Sequence, residues 1–250
     1  MEQYAVFLDI DGTYTSGSRQ PSAANIAAVE RVRAAGHLVF LNTGRSYGFI
    51  PPEVLRSTTF DGIIAGNGSY ITLKDKVLRN EHMDSDYLAQ LTAQFLKSGT
   101  FCLFEGVHDI LCMNMPAEAG WLTVTSPQDF YDKYKHLPIT KITLSNRPTE
   151  ADVALVESKM RLIRFPTYSE AVLLGNDKAG GIRTVLQQVG IPIERCIAMG
   201  DSLNDMDMVE AAGIGVAMGN ACDELKGIAD YISVHAKDGG VARALAHFLP

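Results

Sequence analysis

Short apolar segments alternate with helical patterns at both ends of this sequence, and that order permits few folds. The strand candidates are residues 4–8, 37–41, 62–65, 196–199 and 214–217. The helix candidates are residues 22–35, 180–189, 203–212 and 241–248. Strands that alternate with helices form a parallel sheet that is covered on both faces. We therefore expect an α/β core built from the two ends of the chain.

The middle of the sequence has a different pattern. After one helical stripe, the strand-like runs TFCLFEG and DILCMNM lie close together, and ITKITLS, RLIRF and AVLLG follow later. Strands in adjacent pairs favour antiparallel pairing, so this region predicts a separate α+β domain. We place this inserted domain at residues 82–176, between core segments at residues 1–81 and 177–250.

Composition argues against several classes of partner. The 250 residues carry a net charge of −7 with no basic patch, so a nucleic-acid partner is not expected. No apolar run is long enough for a membrane span or a secretory signal, which predicts a cytoplasmic protein without a membrane partner. A monomer or a small homo-oligomer is expected.

The four cysteines show no CxxC spacing, and each lies in an apolar run. One metal site can be drawn from Cys102, His108 and Cys112. Buried free thiols are the favoured interpretation, because cysteine packs well in apolar cores.

Polar side chains follow three of the predicted parallel strands, in the segments DIDGT, NTGR and GDSLND. The residues concerned are Asp9, Asp11, Thr43, Gly44, Asp201, Asn204 and Asp205. Parallel strands end at the same edge of their sheet, so these side chains are expected to meet there, where open α/β sheets bind ligands. Lys178, at the start of a predicted helix, can join them.

Carboxylates and a cationic side chain at one edge indicate a bound cation and a bound anion. Asp9 and Asp11 are two residues apart, so both can project into the same space. Converging carboxylates repel one another unless a cation lies among them, and oxygen ligands without histidine or thiol favour Mg²⁺. Lys178, the Thr43 hydroxyl and the backbone N–H groups of the glycine loops suit an anion with several oxygens, most simply a phosphate.

Four segments in order resemble the motifs of the haloacid dehalogenase superfamily, and within it the Cof-type phosphatases. DIDGT is similar to the DxDGT motif, NTGR to the second motif, Lys178 to the lysine of the third, and GDSLNDMDM to the fourth, GDxxNDxxM. NGSYI and VAMGNACDELKGIADYIS also look like that family. Each motif alone is weak, but four in this order are specific. The resemblance implies a Rossmann-like parallel-sheet core with an inserted α+β cap of the C2 type, which selects the substrate.

The resemblance also implies a phosphatase that hydrolyses small phosphomonoesters through an aspartyl-phosphate. Asp9 would be the nucleophile, and Asp11 would protonate the leaving oxygen and then activate water. Mg²⁺ would be held by Asp9, the backbone carbonyl of Asp11, and Asp201. The residues implied to bind the phosphoryl group or its surroundings are Thr43, Gly44, Lys178 and Asn204.

Two other functions use a similar aspartate pair. A sugar phosphomutase has the same pair and a cap, and nothing in the sequence separates it from a phosphatase. A phosphoacceptor signalling domain is less favoured, because such domains are much shorter and lack an inserted domain.

Several single residues keep more than one interpretation. Asp205 either caps the following helix or contacts the site, and Arg45 either binds substrate or pairs core with cap. Asn67 is expected to form a turn, and Asn220 either lies near the phosphate or in a turn.

Two positions depart from the family pattern. Tyr14 stands where leucine is usual, which is expected to alter the entrance beside the nucleophile. Ala179 stands where glycine is common, which leaves the local loop geometry open.

Overall fold

The computed structural model describes residues 2–17, 20–145 and 147–250. The chain divides into two compact units. The first comprises Met1–Gly44, Ile50–Arg79 and Asp177–Pro250, and the second comprises Arg45–Phe49 and Asn80–Asn176. The sequence places the inserted domain at residues 82–176, and it does not assign the short segment Arg45–Phe49 to that domain.

The bounds of the strands and helices are as follows. The strands are β1 (Ala5–Leu8), β2 (Leu38–Asn42), β3 (Gly62–Ala65), β4 (Tyr70–Leu73), β5 (Lys76–Asn80), β6 (Cys102–Gly106), β7 (Ile110–Met113), β8 (Leu122–Thr123), β9 (Ile139–Ser145), β10 (Met160–Arg164), β11 (Tyr168–Leu173), β12 (Cys196–Gly200), β13 (Ile214–Ala217) and β14 (Tyr231–Ile232). The helices are α1 (Ala23–Ala34), α2 (Pro52–Leu55), α3 (Ser85–Ser98), α4 (Pro127–Lys133), α5 (Glu150–Glu157), α6 (Lys178–Val189), α7 (Met206–Ala211), α8 (Asp223–Ile228) and α9 (Gly240–Phe248).

An eight-stranded sheet forms the centre of the first unit, in the order β14-β13-β12-β1-β2-β3-β4-β5. All pairs from β14 to β3 are parallel, and β4 runs antiparallel to β3. Strand β1 is central, with Ala5 opposite both Cys196 of β12 and Leu38 of β2. The loops that follow β1, β2 and β12 therefore leave the sheet at the same edge.

Helices cover both faces of this sheet. Phe7 and Phe40 stack with ring centres 4.9 Å apart, and they pack in one core with residues of α6, α7 and α8. Val6 and Leu8 alternate with Phe7, so they face the opposite side of the sheet. Helix α1 packs against α9. The predicted α/β core is confirmed.

The second unit has its own six-stranded sheet, in the order β10-β11-β9-β6-β7-β8. Its strand pairs are antiparallel except for β7 with β8. Residues of α3, α4 and β6 pack in one core, where the rings of Phe95, Phe104 and Phe130 meet edge to face. The α+β character and the antiparallel pairing agree with the sequence.

One predicted helix begins differently. Residues Leu203–Asp205 form a 3₁₀ turn, and α7 starts only at Met206. The turn is capped at Ser202 by the Asp205 side chain, which accepts the Ser202 N–H at 3.0 Å. The tighter turn brings Asp205 back toward the end of β12.

The cysteines are free thiols, and Cys102, Cys112 and Cys196 are buried. This agrees with the favoured interpretation of the cysteine pattern. None of the described helices is long and apolar enough to cross a lipid bilayer.

Candidate active site

The loop after β1 places two aspartates in different environments. Asp9 continues the pairing with β12, because its N–H donates to the Met199 carbonyl at 3.0 Å. The chain then turns back, and the Tyr14 N–H donates to the Asp9 carbonyl at 3.1 Å. The Asp9 side chain is buried, whereas Asp11 is exposed. A buried carboxylate and an accessible one thus stand two residues apart.

Lys178 lies between two carboxylates. It is the first residue of α6, and its side chain is fully buried. Its Nζ donates to Asp9 Oδ1 at 2.7 Å and also to Asp205 Oδ1. Burial lowers the pKa of Lys178, but the charges of Asp205 and Asp9 outweigh burial and hold that pKa above its ordinary value. A fixed positive charge therefore lies beside Asp9.

Asp205 is held in place by the turn that carries it. Its Oδ2 accepts the N–H groups of Asp201 at 2.9 Å and Ser202 at 3.0 Å. Gly200 leaves room for it, since a Cβ on Gly200 would lie 2.4 Å from the Asp205 Cβ. Asp205 therefore contacts the site through Lys178, and its side chain caps the 3₁₀ turn Leu203–Asp205 rather than the following helix α7.

Asp201 packs directly against the backbone of Gly12. A Cβ on Gly12 would lie 2.0 Å from Asp201 Oδ2, and Gly12 has a left-handed φ of +82°. Asn220 Nδ2 donates to the Gly12 carbonyl at 2.8 Å and to Asp201 Oδ2 at 3.2 Å. Within the described residues, the buried Asp201 Oδ1 has no hydrogen-bond partner. An unpaired buried carboxylate oxygen is costly, and this one is available to a cation.

The carboxylate oxygens fit a hard divalent cation. One oxygen from each of Asp9, Asp201 and Asp205 lies within 4.8 Å of the others. Asp205 is already engaged by Lys178 and by backbone N–H groups, so Asp9 and Asp201 are the better candidates for carboxylate ligands. Oxygen donors without nitrogen or sulfur are typical of Mg²⁺ sites.

The pKa values of Asp9 and Asp201 also favour a bound cation. Burial raises the pKa of Asp9 well above its ordinary value, although the Lys178 charge opposes it. Burial and the Asp205 charge raise the pKa of Asp201 to about 7, and Asp11 adds to this rise. Ionising both Asp9 and Asp201 is therefore unfavourable even with Lys178 beside them, and a divalent ion would relieve it.

The loop after β2 lies beside two asparagine amides. The buried Thr43 donates its N–H to the Ile64 carbonyl at 2.8 Å, and its own carbonyl accepts the Asn67 N–H at 3.2 Å. A Cβ on Gly44 would lie 3.1 Å from Asn204 Nδ2 and 3.5 Å from Asn67 Oδ1. Asn67 has the left-handed φ of 53° that a turn requires, so the predicted turn is present. Its side chain also reaches the loop that the sequence assigns to phosphate binding.

The structure gathers most of the sequence-derived site residues within the first unit. These are Asp9, Asp11, Thr43, Gly44, Lys178, Asp201, Asn204 and Asp205. Arg45 belongs to the second unit, where its Nη1 donates to the Phe49 carbonyl at 3.1 Å and its guanidinium lies 5.4 Å from the centre of the Phe49 ring.

Asn220, which the sequence left open between the phosphate and a turn, joins the Gly12 loop to Asp201, and its Oδ1 also accepts the Ala236 N–H at 2.8 Å. One further residue near the site, Asn42, is absent from the predicted set. Asn42 is fully buried at the end of β2, and its Nδ2 donates to the Lys178 carbonyl at 3.2 Å. The sequence feature that could have identified Asn42 is a polar residue at the end of an apolar strand.

The two departures from the family pattern have structural explanations. The Tyr14 ring is fully buried against Phe60, and its hydroxyl is 3.0 Å from Ser57 Oγ, so the expectation that Tyr14 alters the entrance is wrong. Ala179 is the second residue of α6, where a helical backbone has no need of glycine.

Comparisons with known proteins give the same picture. Residues 6–245 match the family of haloacid dehalogenase-like hydrolases. The 5-amino-6-(5-phospho-D-ribitylamino)uracil phosphatase YcsE of Bacillus subtilis is 28% identical, over 98% of this chain and 95% of its own. A phosphoglycolate phosphatase of Methanothermobacter thermautotrophicus is 26% identical, over 98% of each chain.

A solved structure of a sugar phosphatase of subclass IIB in this superfamily has a TM-score of 0.80 and 27% identity, over 98% of both chains. The chain therefore belongs to the haloacid dehalogenase-like hydrolases, and within them it is a phosphatase of the Cof type.

Proposed function

We propose that this phosphatase hydrolyses small phosphomonoesters, such as sugar phosphates, with Mg²⁺ and through an aspartyl-phosphate on Asp9. The observation that carries the proposal is the position of Lys178, which donates to Asp9 Oδ1 at 2.7 Å and pairs with Asp205. The unpaired, buried Oδ1 of Asp201 lies in the same cluster. A nucleophilic carboxylate, a fixed cation and an open cation ligand are the groups that phosphoryl transfer needs.

In the first step, a carboxylate oxygen of Asp9 attacks phosphorus and the P–O bond to the leaving group breaks. Asp11 donates a proton to the departing alkoxide, which leaves as an alcohol. The exposure of Asp11 supports this role, because the acid must reach an oxygen of the substrate.

In the second step, Asp11 takes a proton from water, and the resulting hydroxide attacks the phosphorus of the aspartyl-phosphate. The P–O bond to Asp9 breaks, which releases inorganic phosphate and restores the Asp9 carboxylate. Lys178 stays charged throughout, because its raised pKa keeps the proton on Nζ. It therefore balances charge at Asp9 without moving a proton.

Asp9 and Asp201, with the backbone carbonyl of Asp11, would hold the metal ion. When bound, Mg²⁺ supplies positive charge against the phosphoryl oxygens and against the two buried carboxylates. Thr43, the Gly44 N–H and Asn204 would bind the phosphoryl oxygens.

We assign the choice of substrate to the second unit, as an inserted cap domain. Its sheet carries a groove of about 640 Å³ lined by residues that include Phe101, Arg147 and Tyr168. Phe101 and Tyr168 are exposed, and such aromatic surface suits the organic part of an ester. The two relatives above are named for different phosphomonoesters, so the family alone does not select one.

The test is a panel of sugar, polyol and nucleotide phosphates assayed for free phosphate with Mg²⁺ and with EDTA. Metal-dependent release of phosphate from at least one class is expected. A hexose 1-phosphate that is converted to its 6-phosphate without free phosphate would instead show a mutase, and full activity in EDTA would exclude the metal.

Exchange of the exposed Asp75 for asparagine is the matched control for acidic variants in this assay. It removes one negative charge from the first unit at a distance from the cluster, in the turn between β4 and β5. Its activity should equal that of the parent.

A further inference from the structure

The peptide group that joins Lys178 to Ala179 is held on both sides by side chains. Asn42 Nδ2, at the end of β2, donates to the Lys178 carbonyl at 3.2 Å. Asp207 Oδ2, on α7, accepts the Ala179 N–H at 3.1 Å. The Lys178 carbonyl and the Ala179 N–H belong to one planar peptide unit. Holding both groups therefore fixes the orientation of that peptide and the direction in which the Lys178 side chain leaves the backbone.

Helix geometry shows that this carbonyl has no need of Asn42. The Lys178 carbonyl opens α6, and a helical carbonyl at this position accepts the N–H four residues later. The bond from Asn42 is additional. Asn42 Nδ2 also contacts Met208 Sδ at 3.4 Å. The other polar atom of the amide, Asn42 Oδ1, is buried and has no hydrogen-bond partner within the described residues.

The unpaired oxygen of Asn42 argues against a purely stabilising role. A buried acceptor without a partner costs free energy, and an apolar side chain of the same size would avoid that cost. The reversed amide would turn its oxygen toward the Lys178 carbonyl oxygen, so the donor must face Lys178. Asn42 instead provides a hydrogen-bond donor that is directed at the Lys178 carbonyl.

We infer that Asn42 and Asp207 are positioning residues that clamp the Lys178–Ala179 peptide and thereby set Lys178 Nζ between Asp9 and Asp205. The effect on turnover rests on the proposed function, because it requires Lys178 to act in phosphoryl transfer. Small displacements of a group that must meet a transition state cost up to about 10²-fold in rate. Asn42 directly precedes Thr43 of the phosphate-binding loop, so the comparison with Lys178→Met below separates an effect through Lys178 from an effect through that loop.

The test compares Asn42→Leu, Asp207→Ala and Asp207→Asn in two backgrounds, the parent and Lys178→Met. In the parent, we expect kcat to fall about 10- to 100-fold in Asn42→Leu and in Asp207→Ala. Asp207→Asn keeps an acceptor oxygen for the Ala179 N–H and should stay within about threefold of the parent. In Lys178→Met, none of the three should lower kcat by more than about twofold. Equal losses in both backgrounds, or no loss in the parent, would overturn the clamp.

A second readout needs no turnover. Acetylation by an N-hydroxysuccinimide ester, followed by mass spectrometry, reports how well each lysine is protected. Lys178 should react several-fold faster in Asn42→Leu and Asp207→Ala, whereas Lys141, a buried lysine paired with Glu170 at 2.6 Å in the second unit, should not change.

Faster acetylation of both lysines would indicate general loosening and would overturn the inference, as would unchanged protection of Lys178. If Asp207→Ala does not fold, Asn42→Leu tests the other half of the clamp. If the parent hydrolyses no phosphate ester, the proposed function fails, while acetylation still decides whether the clamp holds Lys178.

Discussion

Lys178 and Asp205 form an ion pair in which neither side chain is accessible to solvent. Lys178 also pairs with Asp9, whose side chain is 7% exposed. The Lys178–Asp205 pair is therefore more deeply buried than the Lys178–Asp9 pair. A buried charge with one partner removed is poorly compensated, because water cannot replace that partner. Asp205 would therefore keep Lys178 paired if Asp9 carries a phosphoryl group, as proposed.

Exchange of Asp205 for asparagine tests this assignment. We expect the free energy of unfolding to fall by about 1–3 kcal/mol, since Lys178 keeps only Asp9 and the Asp201 and Ser202 N–H groups lose a charged acceptor. kcat should fall at least tenfold. Urea unfolding and steady-state assays measure the two effects.

Asp230→Asn is the control for Asp205→Asn, because Asp230 also accepts a backbone N–H, from Gly215 at 2.8 Å, and pairs with no lysine in the described part of the chain. It should keep full activity. Wild-type activity in Asp205→Asn would show that Lys178 needs no second carboxylate.

Stability and Mg²⁺ binding should depend on pH in opposite senses. The pKa of Asp201 is about 7, against an ordinary value of 3.8, so between these pH values the folded protein holds a proton that the unfolded chain lacks. Without metal, the stability that this group contributes is present at low pH and is lost as pH rises toward 7. Mg²⁺ binds the ionised form, so the rise in Tm caused by Mg²⁺ should be small at pH 5.5 and large at pH 8.

Thermal unfolding with Mg²⁺ and with EDTA across that range measures the difference. Asp201→Asn should show no Mg²⁺-dependent shift at any pH. A shift of equal size at pH 5.5 and pH 8 would remove Asp201 from the metal site.

Gly12 should tolerate no side chain. In Gly12→Ala, the new Cβ would meet Asp201 Oδ2 at 2.0 Å, and the φ of +82° is unfavourable for alanine. We expect loss of activity and of the Mg²⁺-induced rise in Tm. Gly17→Ala is the matched control, since Gly17 has a φ of +68° but no atom of the described residues within 4 Å of its Cβ position. Gly17→Ala should cost only about 1 kcal/mol of backbone strain and keep its activity.

Asp9→Asn should abolish turnover without unfolding the protein. The amide is nearly isosteric, and it removes a carboxylate whose pKa burial has raised, so the Tm should hold or rise. Residual activity within tenfold of the parent, a barrier change of only about 1.4 kcal/mol, would exclude Asp9 as the nucleophile. Asp75→Asn serves again as the control for the change in charge.

The meeting of Asp9 and Asp201 was predictable because parallel strands bring their ends to one edge. The family resemblance implied that Asp205 orients Lys178, the metal or water, but the residues alone did not select the pair with Lys178, because it depends on a 3₁₀ turn at Leu203–Asp205 whose apolar pattern resembles an ordinary helix start. The membership of Arg45–Phe49 in the second unit rests on contacts distant in sequence, such as Ser46 Oγ with Glu105 Oε2 at 3.1 Å. Local sequence patterns do not predict contacts between residues that are far apart in the chain.

Asp11→Asn should divide the reaction into a fast half and a stalled half. Expulsion of an alkoxide requires a proton, whereas p-nitrophenolate leaves nearly unaided. The variant should therefore phosphorylate Asp9 from p-nitrophenyl phosphate and then stop, because no base activates water. Loss of general acid–base help is worth about 10²–10⁴-fold, enough for the phosphoenzyme to accumulate.

The expected record is a burst of nitrophenol that approaches one equivalent per enzyme, with phosphate trapped on the Asp9 peptide by rapid quench. Sugar phosphates should give almost no burst, since their leaving groups need the proton that asparagine cannot supply. The double variant Asp9→Asn, Asp11→Asn should show neither burst nor trapped phosphate. Steady release of nitrophenol without trapped phosphate would take the proton-transfer role away from Asp11 and leave it only its backbone carbonyl at the metal.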